Sequence, residues 1–141
     1  MNKIEAIKYT MAHRKMLNKI AKSKGYYFPF HDLDKIFLYI FFGKKITGKL
    51  HRIYSKHHER MINGKLDIRN KIEAIFDWES CRFTKKDKPM TAYEYWLSAC
   101  PQIDLFDYFC KLGFLPKGKT IEQCRNEIEE ARNGCLKTIC A

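Results

Sequence analysis

The stretch Pro29-Phe30-His31-Asp32-Leu33-Asp34-Lys35-Ile36-Phe37-Leu38-Tyr39-Ile40-Phe41-Phe42 decides the fold. Proline sits well at or just before a helix N-terminus, where its missing N–H would have no partner anyway. The seven residues from Ile36 to Phe42 run almost without a polar break. That pattern predicts a helix over about 30–42, buried on all sides at the centre of a helical bundle. Its polar first turn is then where buried chemistry belongs. There, His31 and Asp32 offer an imidazole nitrogen and a carboxylate oxygen from adjacent positions, a pair that suits a divalent cation. His31 and Lys35 share a face at i, i+4, with Asp32 about 100° round.

Working outward, the N-terminal segment over about 3–23 repeats Ile4, Ile7, Met11, Leu17, Ile20 and Ala21 at helical spacing among lysines. His13 belongs near its apolar side, and Gly25 supplies the left-handed cap. Beyond Phe42, Gly43 ends the central helix. A third helix is expected over about 47–62, with Leu50, Ile53, Tyr54 and Met61 inward and His51, His57 and His58 along it. Asn63-Gly64 marks a turn. A fourth helix, about 67–80, has Ile68, Ile72, Ile75 and Phe76 as its core stripe and brings Asp77 to an apolar surface. Thr91-Ala92-Tyr93-Glu94 and Thr120-Ile121-Glu122-Gln123 carry capping-box spacing. Between the helices that they open lies another at Asp104 to Leu112, closed by Gly113, and the last is expected to stop at Asn133-Gly134. The expectation is one all-α domain of about six to seven helices over 1–141, with a site-bearing core at about 3–80 and supporting helices at about 91–134.

Composition limits the function. Hydrophobic residues at 45% and aromatics at 14% mark a folded globule, and 27 Lys and Arg against 16 Asp and Glu give a formal charge of +11. Such a charge draws phosphate-bearing partners, from nucleotides and phosphorylated metabolites to nucleic acid, or serves solubility alone. The six cysteines all lie in the second half without a C-x-x-C pair, and no signal-peptide core opens the chain. These features point to free thiols and a cytoplasmic protein. The longest apolar run falls far short of the roughly 20 residues that span a bilayer. Gly-rich phosphate loops, H-E-x-x-H and internal repeats are all missing from the sequence.

All five histidines fall within the first 58 residues. Each candidate has a plainer alternative. His13 also reads as a half-buried histidine bonded to backbone, Lys56 to Arg60 as a solvated charged face, Asp77 as half of a surface salt bridge, and Cys81 as a structural thiol. For Asp34, the plain reading is adopted: a first-turn carboxylate complementing the helix dipole. Asp77 needs a partner or a metal if it is buried.

The order His13, His31-Asp32, Asp77 on successive helices resembles the HD-domain superfamily of metal-dependent phosphohydrolases, an all-α fold. Phe30 to Lys35, Lys56-His57-His58 and Glu73 to Trp78 also look like the H-D-L-S-K, K-H-H and E-M-x-x-D-W signatures of a small family of bacterial and phage proteins. The similarity covers roughly residues 9–100, with Asp34 standing where serine is usual and a shorter segment between the second and third motifs. The resemblance implies one or two divalent metal ions (Mn, Fe, Co, Ni, Zn or Mg) held by His13, His31, Asp32 and Asp77. His57, His58 or His51 would complete the site or contact phosphate. Asp32, Lys35 and His58 would carry catalysis on a nucleotide or other small phosphate ester, with Glu73 supporting a histidine N–H. It also implies a cytoplasmic setting in a bacterial or phage-infected cell. Two other classes fit the same residues: a non-catalytic phage-type protein that sequesters a nucleotide or binds a host protein, and a basic nucleic-acid-binding helical domain.

Overall fold

The computed structural model of the chain describes residues 2–54, 68–87, 89–99, 101 and 103–140. Seven α-helices and one 3-10 turn account for the regular structure among the described residues, and no strand occurs there. The all-α expectation holds. In chain order they are α1 (Lys3–Ser23), α2 (Leu33–Phe41), α3 (Lys44–Tyr54), α4 (Ile68–Thr84), α5 (Ala92–Ser98), the 3-10 turn Ile103–Leu105, α6 (Phe106–Leu112) and α7 (Ile121–Cys140).

Local chemistry sets the ends. Asn2 caps α1 through a reciprocal box with Glu5, and Gly25, at φ 85°, follows its last turn. Thr91 accepts the Glu94 N–H at the start of α5, while Thr120 and Gln123 close a full box before α7. Gly113 closes α6 at φ 75°. Gly134 does not end α7, which runs through it to Cys140; a single helical glycine costs only about 1 kcal/mol against alanine, too little to stop a helix.

The central element is α4, not α2. α4 packs on α1 along one side and on α5 along the other, and Ile72, Ala74, Ile75 and Phe76 are buried in it. α2 sits at the edge of the bundle against α1 and α3 and buries only Tyr39, leaving Phe37, Ile40 and Phe41 more than half exposed. An apolar run shows that a helix prefers cover; which neighbours are there to supply it depends on tertiary packing. The same override moves the inner faces elsewhere. Ile4, Met11 and Ile68 are exposed, and α1 instead buries Ala6, Thr10, His13, Leu17 and Ala21. α3 buries Thr47 and His51, with Leu50 only half-buried. Met61 and Asn63-Gly64 lie outside the described residues.

The main core joins α1 and α4 to the C-terminal helices. Leu17, Phe76, Trp96 and Phe109 are among its fully buried members, with Trp96 and Phe109 stacked at 4.4 Å. This is the wall against which the polar end of α4 is held.

The disulfide state differs from expectation at one position. Cys81, Cys110 and Cys124 are free thiols, whereas Cys135 is disulfide-bonded. The lack of C-x-x-C or small-domain spacing says nothing about cysteines that the fold brings together.

Candidate metal centre

The loop between α1 and α2 carries the first ligands, and α1 shapes it. Asn18 clamps Phe28 at both ends: its Oδ1 accepts the Phe28 N–H at 2.7 Å and its Nδ2 donates to the Phe28 carbonyl at 3.0 Å. One turn earlier, Arg14 donates from Nε to the His31 carbonyl at 2.7 Å and from Nη2 to the Pro29 carbonyl. The loop therefore ends in a fixed turn, and α2 begins at Leu33, three residues later than the sequence predicts. His31 and Asp32 precede the helix, and Asp32 lies at φ 53°, ψ 16°, the only positive φ outside glycine among the described residues. A left-handed aspartate costs about 1–2 kcal/mol, a strain that recurs at functional positions. The turn aims His31 and Asp32 inward together, and Lys35 meets Asp32 (Nζ–Oδ2 2.8 Å) and not His31.

Four of the residues singled out in the sequence converge there. His13 Nε2 lies 2.8 Å from Asp77 Oδ1 and 3.3 Å from His31 Nε2. Asp32 Oδ2 is 3.5 Å from His31 Nε2 and 3.8 Å from His13 Nε2, and His31 Nε2 is 3.7 Å from Asp77 Oδ1. All four residues are buried. A second group adjoins the first through Asp32: His51 Nε2 is 2.8 Å from Asp32 Oδ1, and His51 Nδ1 is 2.7 Å from Asp34 Oδ2. His13, His31 and Asp77 form one group able to hold a metal ion; Asp32, Asp34 and His51 form another.

The histidine tautomers follow from the partners of the outer nitrogens. His13 Nδ1 faces Ser80 Oγ at 3.2 Å and Thr84 Oγ1 at 3.3 Å. Each hydroxyl has one proton, and each already donates it to a backbone carbonyl, Ser80 to Asp77 and Thr84 to Ser80. Both can then only accept, so Nδ1 of His13 carries the hydrogen. His31 Nδ1 donates to Glu73 Oε1 at 2.9 Å, since a carboxylate only accepts; His51 lies between two carboxylates, and in the form that donates from Nδ1 to Asp34 its Nε2 faces Asp32. In the neutral rings, all three Nε2 lone pairs point toward Asp32 and Asp77. Lone pairs and carboxylates crowded together out of water need a proton or a cation among them.

Without a cation the site takes up a proton. Burial presses the His31 pKa down, but Asp77 and Glu73 beside it outweigh this and raise it to about 10. Burial of Asp77 works against its charge, yet His13 and His31 hold its carboxyl well below the usual range. Lys35 is likewise raised, with Asp32 outweighing the cost of burial. Tyr9 stacks its ring parallel to His13, with centroids 6.3 Å apart.

The donor set fits a divalent cation. Separations of 2.8–3.8 Å among His13, His31, Asp32 and Asp77 suit a shell with bonds of about 2.0–2.2 Å, and the outer nitrogens already have the partners that orient metal-ligating histidines.

Sequence reasoning found His13, His31, Asp32, Asp77 and the supporting Glu73. His57 and His58 lie outside the described residues. Asp34 departs from its expected role: it is the partner of His51, not merely a dipole-complementing carboxylate, because the turn at Asp32 swings the first residues of α2 toward α3. Cys81 is half-buried at the side of the centre, where burial and then Asp77 push its thiol up to about 11. Arg14, Asn18, Ser80 and Thr84 escaped notice; their only signal is placement on the inward faces of α1 and α4, which becomes visible once those faces are known. No family model, curated protein or solved structure matches the chain, and no helix among the described residues is long and apolar enough to cross a membrane.

Proposed function

We propose that this chain is a metal-dependent phosphohydrolase of the HD class, acting on a nucleotide or another small phosphate ester. The observation that carries the reading is the convergence of the His13, His31 and His51 Nε2 atoms on Asp32 and Asp77, each imidazole held by its Nδ1 hydrogen. His13, His31, Asp32 and Asp77 would hold the cation, and His51 would face it across Asp32. A divalent cation in such a shell polarises a phosphoryl oxygen and lowers the pKa of a water toward neutrality.

The chain's own residues supply the rest. Asp32 would help hold the cation and position the attacking water beside it. The Lys35 side chain is 24% exposed beside Asp32, so its ammonium can reach an incoming phosphate and offset the charge that develops on it. The net charge of +11 gathers anions over roughly one Debye length, about 8–10 Å. Burial of His13 and His31 keeps bulk water from the inner side.

The test is elemental analysis of protein prepared with Mn, Fe, Co, Ni, Zn and Mg, followed by a phosphate-release screen over nucleotides and simple phosphate esters. Stoichiometric metal in the parent, loss in His31→Ala and Asp77→Ala variants that remain helical by circular dichroism, and metal-dependent release are expected. A parent that neither carries nor takes up such a metal sinks the reading. Metal uptake with tight nucleotide binding and no product moves the chain to the sequestering class.

A further inference from the structure

We infer that Asp34 is a positioning residue of the centre: it accepts the Nδ1 hydrogen of His51 and so leaves the His51 Nε2 lone pair for a cation held at Asp32. The inference rests on the reading of the site as a cation centre, and extends it to a residue that has no place in the inner group of four.

Geometry carries the argument. Asp34 Oδ2 lies 2.7 Å from His51 Nδ1, and the His51 side chain is 1% exposed. The opposite nitrogen lies 2.8 Å from Asp32 Oδ1. An imidazole in this position has two neutral tautomers. With hydrogen on Nδ1, Asp34 is satisfied and Nε2 presents its electron pair to a cation shared with Asp32. With hydrogen on Nε2, the ring donates toward Asp32 and has no electron pair left for a cation there. Once a cation lies between Nε2 and Asp32, the hydrogen belongs on Nδ1, and Asp34 is the acceptor that holds it there. The arrangement repeats what Glu73 does for His31 and what Ser80 and Thr84 do for His13. Three imidazoles reached from α1, the following loop and α3 are thus oriented by one device, the usual outer partner of a metal-binding histidine.

Asp34 is well placed to be tested, because its side chain is 46% exposed and it lies in the first turn of α2, so shortening it leaves the core intact. A serine there would not reach His51 as a carboxylate does. Asn would still offer a carbonyl oxygen to the Nδ1 hydrogen.

The experiment uses the full chain at pH 8. Long-range proton–nitrogen correlation spectra of the protein loaded with diamagnetic Zn2+ assign the imidazole tautomers in the parent, Asp34→Ser and Asp34→Asn, and Co2+ titration of the metal-free protein follows binding and the visible ligand-field bands. Expected is an Nδ1–H His51 in the parent and in Asp34→Asn. In Asp34→Ser, mixed tautomers are expected, with Co2+ binding about 10- to 100-fold weaker and an altered band pattern. If His51 keeps the Nδ1–H form and Co2+ binds unchanged in Asp34→Ser, the inference is wrong. If the parent binds neither Zn2+ nor Co2+, the cation-centre reading is what fails, and the role of Asp34 falls with it.

Discussion

His13 Nε2 and Asp77 Oδ1 lie 2.8 Å apart although 64 positions separate them in the chain. The contact ties α1 to α4, the two helices that pack most closely, and places the buried carboxylate of α4 against a ring whose other nitrogen is already committed to Ser80 and Thr84. A carboxylate on the central helix needs such compensation. In this chain, the compensation consists of the residues that can also bind a cation.

Replacing Asp77 by asparagine keeps the volume and removes the charge. The introduced amide can donate an N–H to one imidazole Nε2, so the helices remain docked and the far-ultraviolet spectrum is unchanged. The Asp77→Asn variant is expected to lose about 1–3 kcal/mol in urea unfolding, since a hydrogen bond to one buried imidazole survives. Its Co2+ or Mn2+ affinity should fall at least about 100-fold in calorimetric titration. Retained affinity would mean that Asp77 is a structural partner of His13 alone.

The pH dependence of the metal-free protein follows from His31. Its folded pKa, about 10, stands above the ordinary imidazole value near 6.5. The native state therefore binds that proton more tightly than the unfolded chain does. The stabilisation is fully present below about pH 6.5 and is lost as pH rises toward 10. Urea midpoints of chelator-treated protein should fall across that window, and His31→Gln should flatten the slope. Asp77, held below the usual carboxylate range by the same neighbours, gives the opposite limb: its contribution is present above about pH 4 and is lost on further acidification. Cation binding displaces the His31 proton, so apparent Co2+ affinity should rise with pH through neutrality.

The inner site could be read in the sequence because His13, His31-Asp32 and Asp77 are rare residue types in a fixed order, and their chemistry narrows what they can do together. The helices were legible where Thr91, Thr120, Gly25 and Gly113 mark ends by local chemistry. Burial was not. The Ile36–Phe42 run looks more central than α4, yet Phe41 is 74% exposed while Asp77, Glu79 and Ser80 are buried. Polar groups can enter a core when partners meet them, as His13 meets Asp77 and the Ala92 N–H meets Glu79. Those partners are distant in sequence, and so Glu79 and Ser80 extend the inward face of α4 beyond the Ile72, Ile75 and Phe76 stripe without an apolar signal. The role of Asp34 was hidden for the same reason, since it depends on a left-handed turn at Asp32 that no residue type announces.

Cys81 reports on the charge of the centre from four residues beyond Asp77. With its thiol pushed up to about 11 by burial and by Asp77, it should alkylate slowly with iodoacetamide at pH 8, because the thiolate is the reactive form. Bound cation offsets the carboxylate charge and Asp77→Asn removes it, so both should speed the reaction at this position when followed by peptide mass spectrometry. Labelling at Cys81 as fast as at a solvent-exposed thiol, and indifferent to metal, would show that the carboxylate charge does not reach it.

Arg14 governs the site without touching a ligand side chain. Its guanidinium spans the carbonyls of Pro29 and His31 and fixes the turn that sends His31 and Asp32 inward. A planar fork can hold two carbonyls at once, and a lysine ammonium cannot reproduce that geometry. Arg14→Lys should therefore retain the charge but not the turn, and Arg14→Met should lose both while keeping most of the aliphatic packing. Charged hydrogen bonds to carbonyls are worth about 1.5–3 kcal/mol each, but the guanidinium is only part-buried, so solvent competes for it and the expected loss in urea unfolding is about 1–2 kcal/mol. The larger effect belongs to the centre: Co2+ affinity should fall about 10-fold or more in both variants, with the Asp32 turn loosened and the helical content unchanged. If Arg14→Lys binds Co2+ like the parent, the turn is held by Asn18 and the packing of Phe28 instead, and the guanidinium is a surface clasp with no hold on the ligands.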